Sequence, residues 1–220
     1  YVQTPRLFRE VRRDDASVHI FATGVGRRGA GAISQLVSHR RPYRALRRQQ
    51  LDAQLAEGFL FGILRAVKKQ RKIGLFDSGL GGLTVLRALE EKLPQVDKVY
   101  YGDTLHLPYG DKSDEAIRAF SLEIVGFLAA EGCDVIVIAC NSASAAAGTM
   151  LEESFPDLTF INVIDPVVAS LAQGPQRKTA LLGTRATVRS GAYTKRLDTL
   201  RVGHELIALP TPLLVPLIED

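Results

Sequence analysis

The chain has 220 residues, 46% of them hydrophobic, and carries 28 Lys and Arg against 24 Asp and Glu, a formal net charge of +4. That length supports one or two domains with proper cores, and the apolar run Phe59-Leu-Phe-Gly-Ile-Leu64 is far short of the roughly 20 residues a transmembrane helix needs. The charge is uneven: residues 1–72 hold 16 Lys and Arg against 5 Asp and Glu, so residues 73–220 hold the other 12 against 19, and a leader of +11 precedes a body of −7. The high isoelectric point therefore belongs to the leader and says nothing about partners of the body, which reads as cytoplasmic. The first residue is Tyr1 and the only methionine is Met150, so the sequence reads as a piece of something longer.

Residues 1–72 show no clear periodicity until Leu51, Leu55, Phe59, Ile63 and Val67, which fall near helical spacing. The segment reads as a basic leader, disordered or partly helical. An arginine-rich leader fits an organelle transit segment, a nucleic-acid-binding arm, or sequence upstream of the true start. The last is favoured, because Arg so dominates Lys and neither Ser richness nor aromatic interleaving accompanies it. From Ile73 onward a strand–helix rhythm sets in, with strands expected at 73–76, 98–102, 134–139, 160–163, 179–183 and 205–209. The helix expected near 114–131 has a good start: Ser113 can cap it, Asp114 and Glu115 occupy the first turn, and Ile117, Phe120, Ile124 and Phe127 form a stripe. Pro166 suits the first turn of the next helix. Such alternation predicts an α/β fold, a parallel sheet flanked by helices, with right-handed crossovers.

The most informative stretch is Asp134-Val-Ile-Val-Ile-Ala-Cys140-Asn141-Ser142-Ala-Ser144. Five apolar residues, mostly β-branched, read as a strand covered on both faces, and the thiol then stands where a small-residue helix begins. Backbone N–H groups and a positive helix end facing Cys140 are expected to lower its pKa. A lone cysteine is more often just a small buried apolar residue, but the amide and hydroxyl that follow favour chemistry. Cys133 is no partner for it: seven residues along a strand, at about 3.3 Å each, place the sulfurs roughly 20 Å apart, too far for a disulfide. Four histidines and two cysteines show no metal-ligand spacing, and His106 and His204 read as ordinary loop residues.

Two further strand ends complete the pattern. Ile73-Gly-Leu-Phe-Asp77-Ser78-Gly79-Leu-Gly81-Gly82 runs from a strand through a glycine-rich turn into a helix, and Val99-Tyr-Tyr-Gly102-Asp103 runs into the turn at Pro108-Tyr109-Gly110. A phosphate loop is disfavoured at the first, since no Lys-Ser/Thr follows the glycines. In an open parallel sheet the carboxyl ends of the strands share one edge, so these loops converge on one crevice. Together with Leu182-Gly-Thr184-Arg-Ala-Thr187-Val-Arg-Ser-Gly-Ala-Tyr and Pro210-Thr-Pro-Leu-Leu-Val-Pro-Leu-Ile-Glu219, they make a set that resembles the glutamate racemases of the aspartate/glutamate racemase superfamily.

The resemblance runs from about Ile73 to the last residue. It implies two similar α/β domains with the active site between them: residues 73–165 most of the first, and 166–220 the start of a second, incomplete one. It implies cofactor-independent racemisation of glutamate, supplying D-glutamate for peptidoglycan, with no metal. Removing the α-proton from one face and returning a proton to the other requires two acid/base groups flanking Cα. Cys140 is carried over as one base. Asp77 and Ser78 match a substrate-contacting pair: the carboxylate can hold the substrate ammonium and assist proton transfer, while the hydroxyl can bond a carboxylate. Their structural alternative is a tight βα turn. Tyr109 and Gly110 match a contact made largely by backbone. Asn141 would donate to a substrate carboxylate, its alternative being a helix cap. Ser142 stands where the family usually has Thr and keeps the hydroxyl, and Thr184 and Thr187 resemble cleft-lining residues of the second domain. The family's second cysteine lies in a Gly-Cys-Thr-His motif that is not in this sequence, so residues 1–220 alone are expected not to racemise at a useful rate. Two other readings stand beside this one. Another amino-acid racemase, such as an aspartate racemase, is disfavoured by the Asp-Ser-Gly-Leu-Gly-Gly and Pro-Tyr-Gly segments. A non-catalytic protein with a nucleic-acid-binding arm would show salt-dependent association with DNA. A homodimer is left open.

Overall fold

The computed structural model describes residues 6–13, 16–22, 72–175 and 177–219. The expected helix over Leu51–Val67 lies outside the described residues. The main sheet has six strands: β1 (Arg6–Arg13), β2 (Ala16–Ala22), β3 (Lys72–Asp77), β4 (Lys98–Gly102), β5 (Cys133–Ile138) and β6 (Thr159–Asn162), in the order β1-β2-β4-β3-β5-β6. All neighbours are parallel except β1 and β2. Helices α1 (Leu83–Lys92), α2 (Asp114–Ala130) and α3 (Asn141–Ser154) alternate with the strands. The expected α/β fold is therefore present, with strand bounds within one residue of those read from the sequence.

Strands β1 and β2 were not among the expectations. They form an antiparallel pair, and β2 runs parallel to β4 from Val18↔Lys98 to Ala22↔Gly102. The physical reason is that β4, with β3 on one side, offers an open row of backbone donors and acceptors on the other. A short run such as Val18-His-Ile-Phe is enough to pair with it, and the arginines around that run obscure it in the sequence.

Strand alternation explains why both faces of the sheet are apolar. Ile73, Leu75, Tyr100, Val135 and Val137 point to one face, where Leu83, Leu86 and Leu89 of α1 cover them. Phe76, Val99, Tyr101, Ile136 and Ile138 point to the other, against Ile117, Ile124, Val125 and Leu128 of α2 and Ala143, Ala146, Ala147 and Leu151 of α3. The alanines of α3 let that helix lie close to the sheet. Ser113 caps α2 as expected, its Oγ accepting from the Ala116 N–H at 3.2 Å.

Chain direction decides where the crevice falls. From β3 the chain crosses to β4 on one side, and from β4 it returns past β3 to β5 on the other. The order reverses between β3 and β5, which is where open α/β sheets leave a crevice at their carboxyl edge. Asp77 ends β3, and Cys140 follows β5 by two residues.

The remaining elements are α4 (Ile164–Gln173), β7 (Lys178–Gly183), α5 (Arg185–Ser190), α6 (Ala192–Leu200), β8 (Glu205–Pro210) and α7 (Leu214–Glu219). Strands β7 and β8 pair in parallel as a separate two-stranded sheet. One face packs Leu181 and Leu206 against Ile164, Val168, Tyr193 and Leu197. The other presents Leu182, Ile207 and Leu209 to solvent, Leu182 being 56% exposed. Among the described residues, no helix is long and apolar enough to cross a membrane.

Lys98 is the most unusual core residue. Its side chain is fully buried, its ammonium donates to the carbonyls of Leu93 and Val96, each at 2.6 Å, and Glu90 lies 2.8 Å away. The ammonium thus sits at the negative end of α1 and ties it to β4. Removing one partner of such a pair leaves the other charge buried. Lys98→Met is expected to lower stability by about 3 kcal/mol, read as a shifted denaturation midpoint with unchanged slope. A change below roughly 1 kcal/mol would show that the pair does not anchor the helix.

Candidate active site between strands β3 and β5

Asp77 organises the glycine-rich turn. Its Oδ2 accepts from the N–H groups of Gly79 at 3.2 Å and Gly82 at 2.9 Å, and the Tyr100 hydroxyl donates to the Gly79 carbonyl at 3.1 Å. Gly82 packs so closely that a Cβ there would stand 2.6 Å from Asp77 Cβ and 3.1 Å from Ala139 Cβ. The turn's N–H groups are therefore directed at a carboxylate within the chain, which agrees with the sequence reading that this is not a phosphate loop. Asp77 is 7% exposed. Burial raises its pKa, while the Gly82, Gly79 and Ser78 N–H groups and the Cys140 thiol oppose that rise.

Cys140 occupies the N-cap of α3, with extended backbone (φ −91°, ψ 124°). Its thiol donates to Ser78 Oγ at 3.5 Å and is 6% exposed. The expected lowering of its pKa is not what the structure gives. Burial, followed by the negative charge of Asp77, pushes the thiol up to about 11, while Ser78 and the Ala143 N–H pull the other way. The helix end exerts the pull anticipated from the sequence, but desolvation and an adjacent carboxylate outweigh it. Burial and the Asp77 charge both favour the protonated form of the thiol.

The other expected residues flank this pair. Asn141, exposed at the start of α3, accepts a hydrogen bond at 2.6 Å from the hydroxyl of Tyr193, itself 5% exposed. The buried Ser142 Oγ lies 2.9 Å from Thr184 Oγ1 and 3.5 Å from Thr187 Oγ1. Thr184 also caps α5, accepting from the Thr187 N–H at 3.1 Å. Gly110 lies in a 3₁₀ turn (Tyr109–Asp111) pressed against Thr184: a Cβ at Gly110 would come within 2.6 Å of Thr184 Cβ. Asp77, Ser78 and Cys140 are thus in mutual contact, and Gly110, Ser142, Thr184 and Thr187 form a second group, Ser142 following Cys140 by two residues in the chain. The Tyr109 side chain points inward instead, donating to Asp103 Oδ2 at 2.6 Å.

Asp103 has no role in the reading of the sequence. Buried at the end of β4, it also faces His106 Nδ1 at 2.9 Å, and the His106 ring stacks on Phe120 with centroids 4.0 Å apart. An acidic residue closing a buried strand was the available signal. Cys133 and Cys140 are both free, at opposite ends of β5. Among the described residues, no three His, Cys, Asp or Glu side chains cluster so as to hold a metal ion.

These charges make the thiol's titration measurable. Iodoacetamide modification of Cys140 in the substrate-free protein should keep accelerating with pH until about 11, and Asp77→Asn should move that midpoint downward by removing the charge. A plateau near the ordinary thiol value of about 8.5 contradicts this electrostatic picture.

Residues 73–211 match the family described as Asp/Glu/Hydantoin racemase. The chain is 46% identical over 150 residues to the glutamate racemase of Aquifex aeolicus, covering 68% of this chain and 58% of that protein. It is 47% identical over 148 residues to a glutamate racemase of Thermus thermophilus, covering 67% and 54%. Among solved structures it resembles the glutamate racemase from Aquifex pyrophilus, with a TM-score of 0.62 and 44% identity over 66% of this chain and 57% of that one. It also resembles the glutamate racemase from Francisella tularensis subsp. tularensis in complex with D-glutamate, with a TM-score of 0.65 and 34% identity over 68% and 56%. The chain spans a little over half the length of these relatives. With its parallel sheet, its reversal of strand order between β3 and β5 and this match over most of residues 73–219, the chain belongs to the Asp/Glu/Hydantoin racemase family.

Proposed function

We propose that this chain supplies one catalytic half of a glutamate racemase, interconverting L- and D-glutamate by proton transfer at Cα without a cofactor. The observation that carries the reading is the contact of Cys140, Ser78 and Asp77 where β3 and β5 end side by side. A thiol can deliver or remove a proton at one face of a bound amino acid. The second face needs a second group, and Cys133, at the far end of the same strand, is not placed to be it. Residues 1–220 alone are therefore inactive in this proposal. The exposed apolar face of β7 and β8 supports the reading that these strands begin a second α/β domain. The names of the relatives, at 46% and 47% identity, favour glutamate over aspartate. In bacteria the D-glutamate made would supply peptidoglycan from the cytoplasm.

Electrostatics suggests how the thiol is switched. In this reading Asp77 receives the substrate's α-ammonium, and a cation there offsets the carboxylate charge that, after burial, holds Cys140 protonated. Substrate binding thereby brings the thiol closer to the form that removes a proton, while the free enzyme keeps it as an acid. Asn141 donates to the α-carboxylate, with Ser78 and the Ser142–Thr184–Thr187 hydroxyls available to the substrate's oxygens. Tyr109 and Gly110 contribute through the backbone of their turn.

In the complete protein, the α-proton of glutamate should exchange with solvent deuterium by NMR. Cys140→Ser should slow that exchange by at least about 100-fold, the lower end of what a positioned acid/base group contributes. Exchange untouched by the substitution removes Cys140 from the mechanism.

A further inference from the structure

Asn141 is a side chain whose usefulness depends on which way its amide faces. Its carbonyl end repels a carboxylate and its amino end donates to one, so only one of two orientations favours a negatively charged ligand. Among the described residues, a single side chain decides between them: the Tyr193 hydroxyl, donating to Asn141 Oδ1 at 2.6 Å. A phenol oxygen is a weaker acceptor than an amide carbonyl, and burial pushes the Tyr193 hydroxyl up to about 12, so it stays protonated and stays a donor. The opposite amide orientation would set Nδ2 against the phenol and turn Oδ1 outward.

We infer that Tyr193 is a positioning residue for substrate, locking the Asn141 amide so that Nδ2 is presented to the carboxylate of the bound amino acid. This rests on the racemase reading and adds to it a specific source of affinity. Tyr193 is rigid enough for the task. It is the second residue of α6, and its ring packs in a cluster with Ile164, Val168, Ala192 and Leu197. Asn141 belongs to the helix that follows β5, whereas Tyr193 belongs to the elements around β7 and β8. The hydrogen bond therefore couples the carboxylate contact beside the thiol to the placement of the second group of elements. The Tyr193 hydroxyl is engaged with Asn141 rather than with the thiol or Asp77, so its effect should fall on binding.

The test is a double-mutant cycle read as the dissociation constant of glutamate, by calorimetry on the complete protein. Tyr193→Phe keeps the buried ring, and its melting temperature checks that it folds like the parent. Tyr193→Phe and Asn141→Ala should each weaken glutamate binding about tenfold, as expected for losing a hydrogen bond to a charged group. The double variant should bind no more than about twofold weaker than Asn141→Ala alone, because the two residues act as one unit. In the parent protein, the Asn141 side-chain amide signals should shift on adding glutamate. Unchanged affinity in Tyr193→Phe, effects of the two substitutions that multiply, or unshifted Asn141 amide signals would each overturn the inference while leaving the racemase reading in place. A parent protein that binds no glutamate would overturn both.

Discussion

A carboxylic acid and a thiol lie buried side by side at the carboxyl edge of the sheet, and only one of them can carry charge cheaply. Asp77 has the backbone donors: the turn that follows it folds back so that Gly79 and Gly82 offer N–H groups to its Oδ2. Cys140 has the Ser78 hydroxyl and the first turn of α3, which is less than burial and the neighbouring charge take away. Burial and the neighbouring carboxylate thus favour the thiol over the thiolate. Much of the local structure follows from keeping these two groups adjacent.

Adjacency is first a matter of topology. Pairing β3 with β5 brings residues some sixty positions apart in sequence to neighbouring strand ends. It is next a matter of size. Gly82 has no room for a Cβ beside Asp77 and Ala139, and the alanines of α3 allow it to settle close to β5. Larger residues at these places would fit the fold only by moving the thiol relative to the carboxylate. The Asp103–Tyr109 hydrogen bond fixes the neighbouring turn in the same manner, from beneath, so that Gly110 meets Thr184.

The six strands from β3 onward were legible because each is a short, mainly apolar run alternating with helical patterns. The meeting of Asp77, Ser78 and Cys140 was legible because β3 and β5 each end in small or polar residues at places where a purely structural loop needs none. The sign of the Cys140 shift was not. Sequence shows a thiol before a helix, which argues for a lowered pKa, but the burial and the distance to Asp77 that reverse it exist only once β3 and β5 are paired. Tyr193 was invisible for a similar reason, since Asn141 lies 52 residues away and meets it only through packing. Strands β1 and β2 were missed because their pairing is set by the open edge of β4 more than by their own pattern.

The thiol's protonation state can be observed directly from its S–H stretching band in the infrared spectrum. In the substrate-free protein at neutral pH, a band that disappears in Cys140→Ser is the predicted result, since the sulfur is held protonated by burial and by Asp77. If the Cys140 band is already missing at neutral pH, the sulfur is a thiolate and the balance between Asp77 and Cys140 described here is wrong.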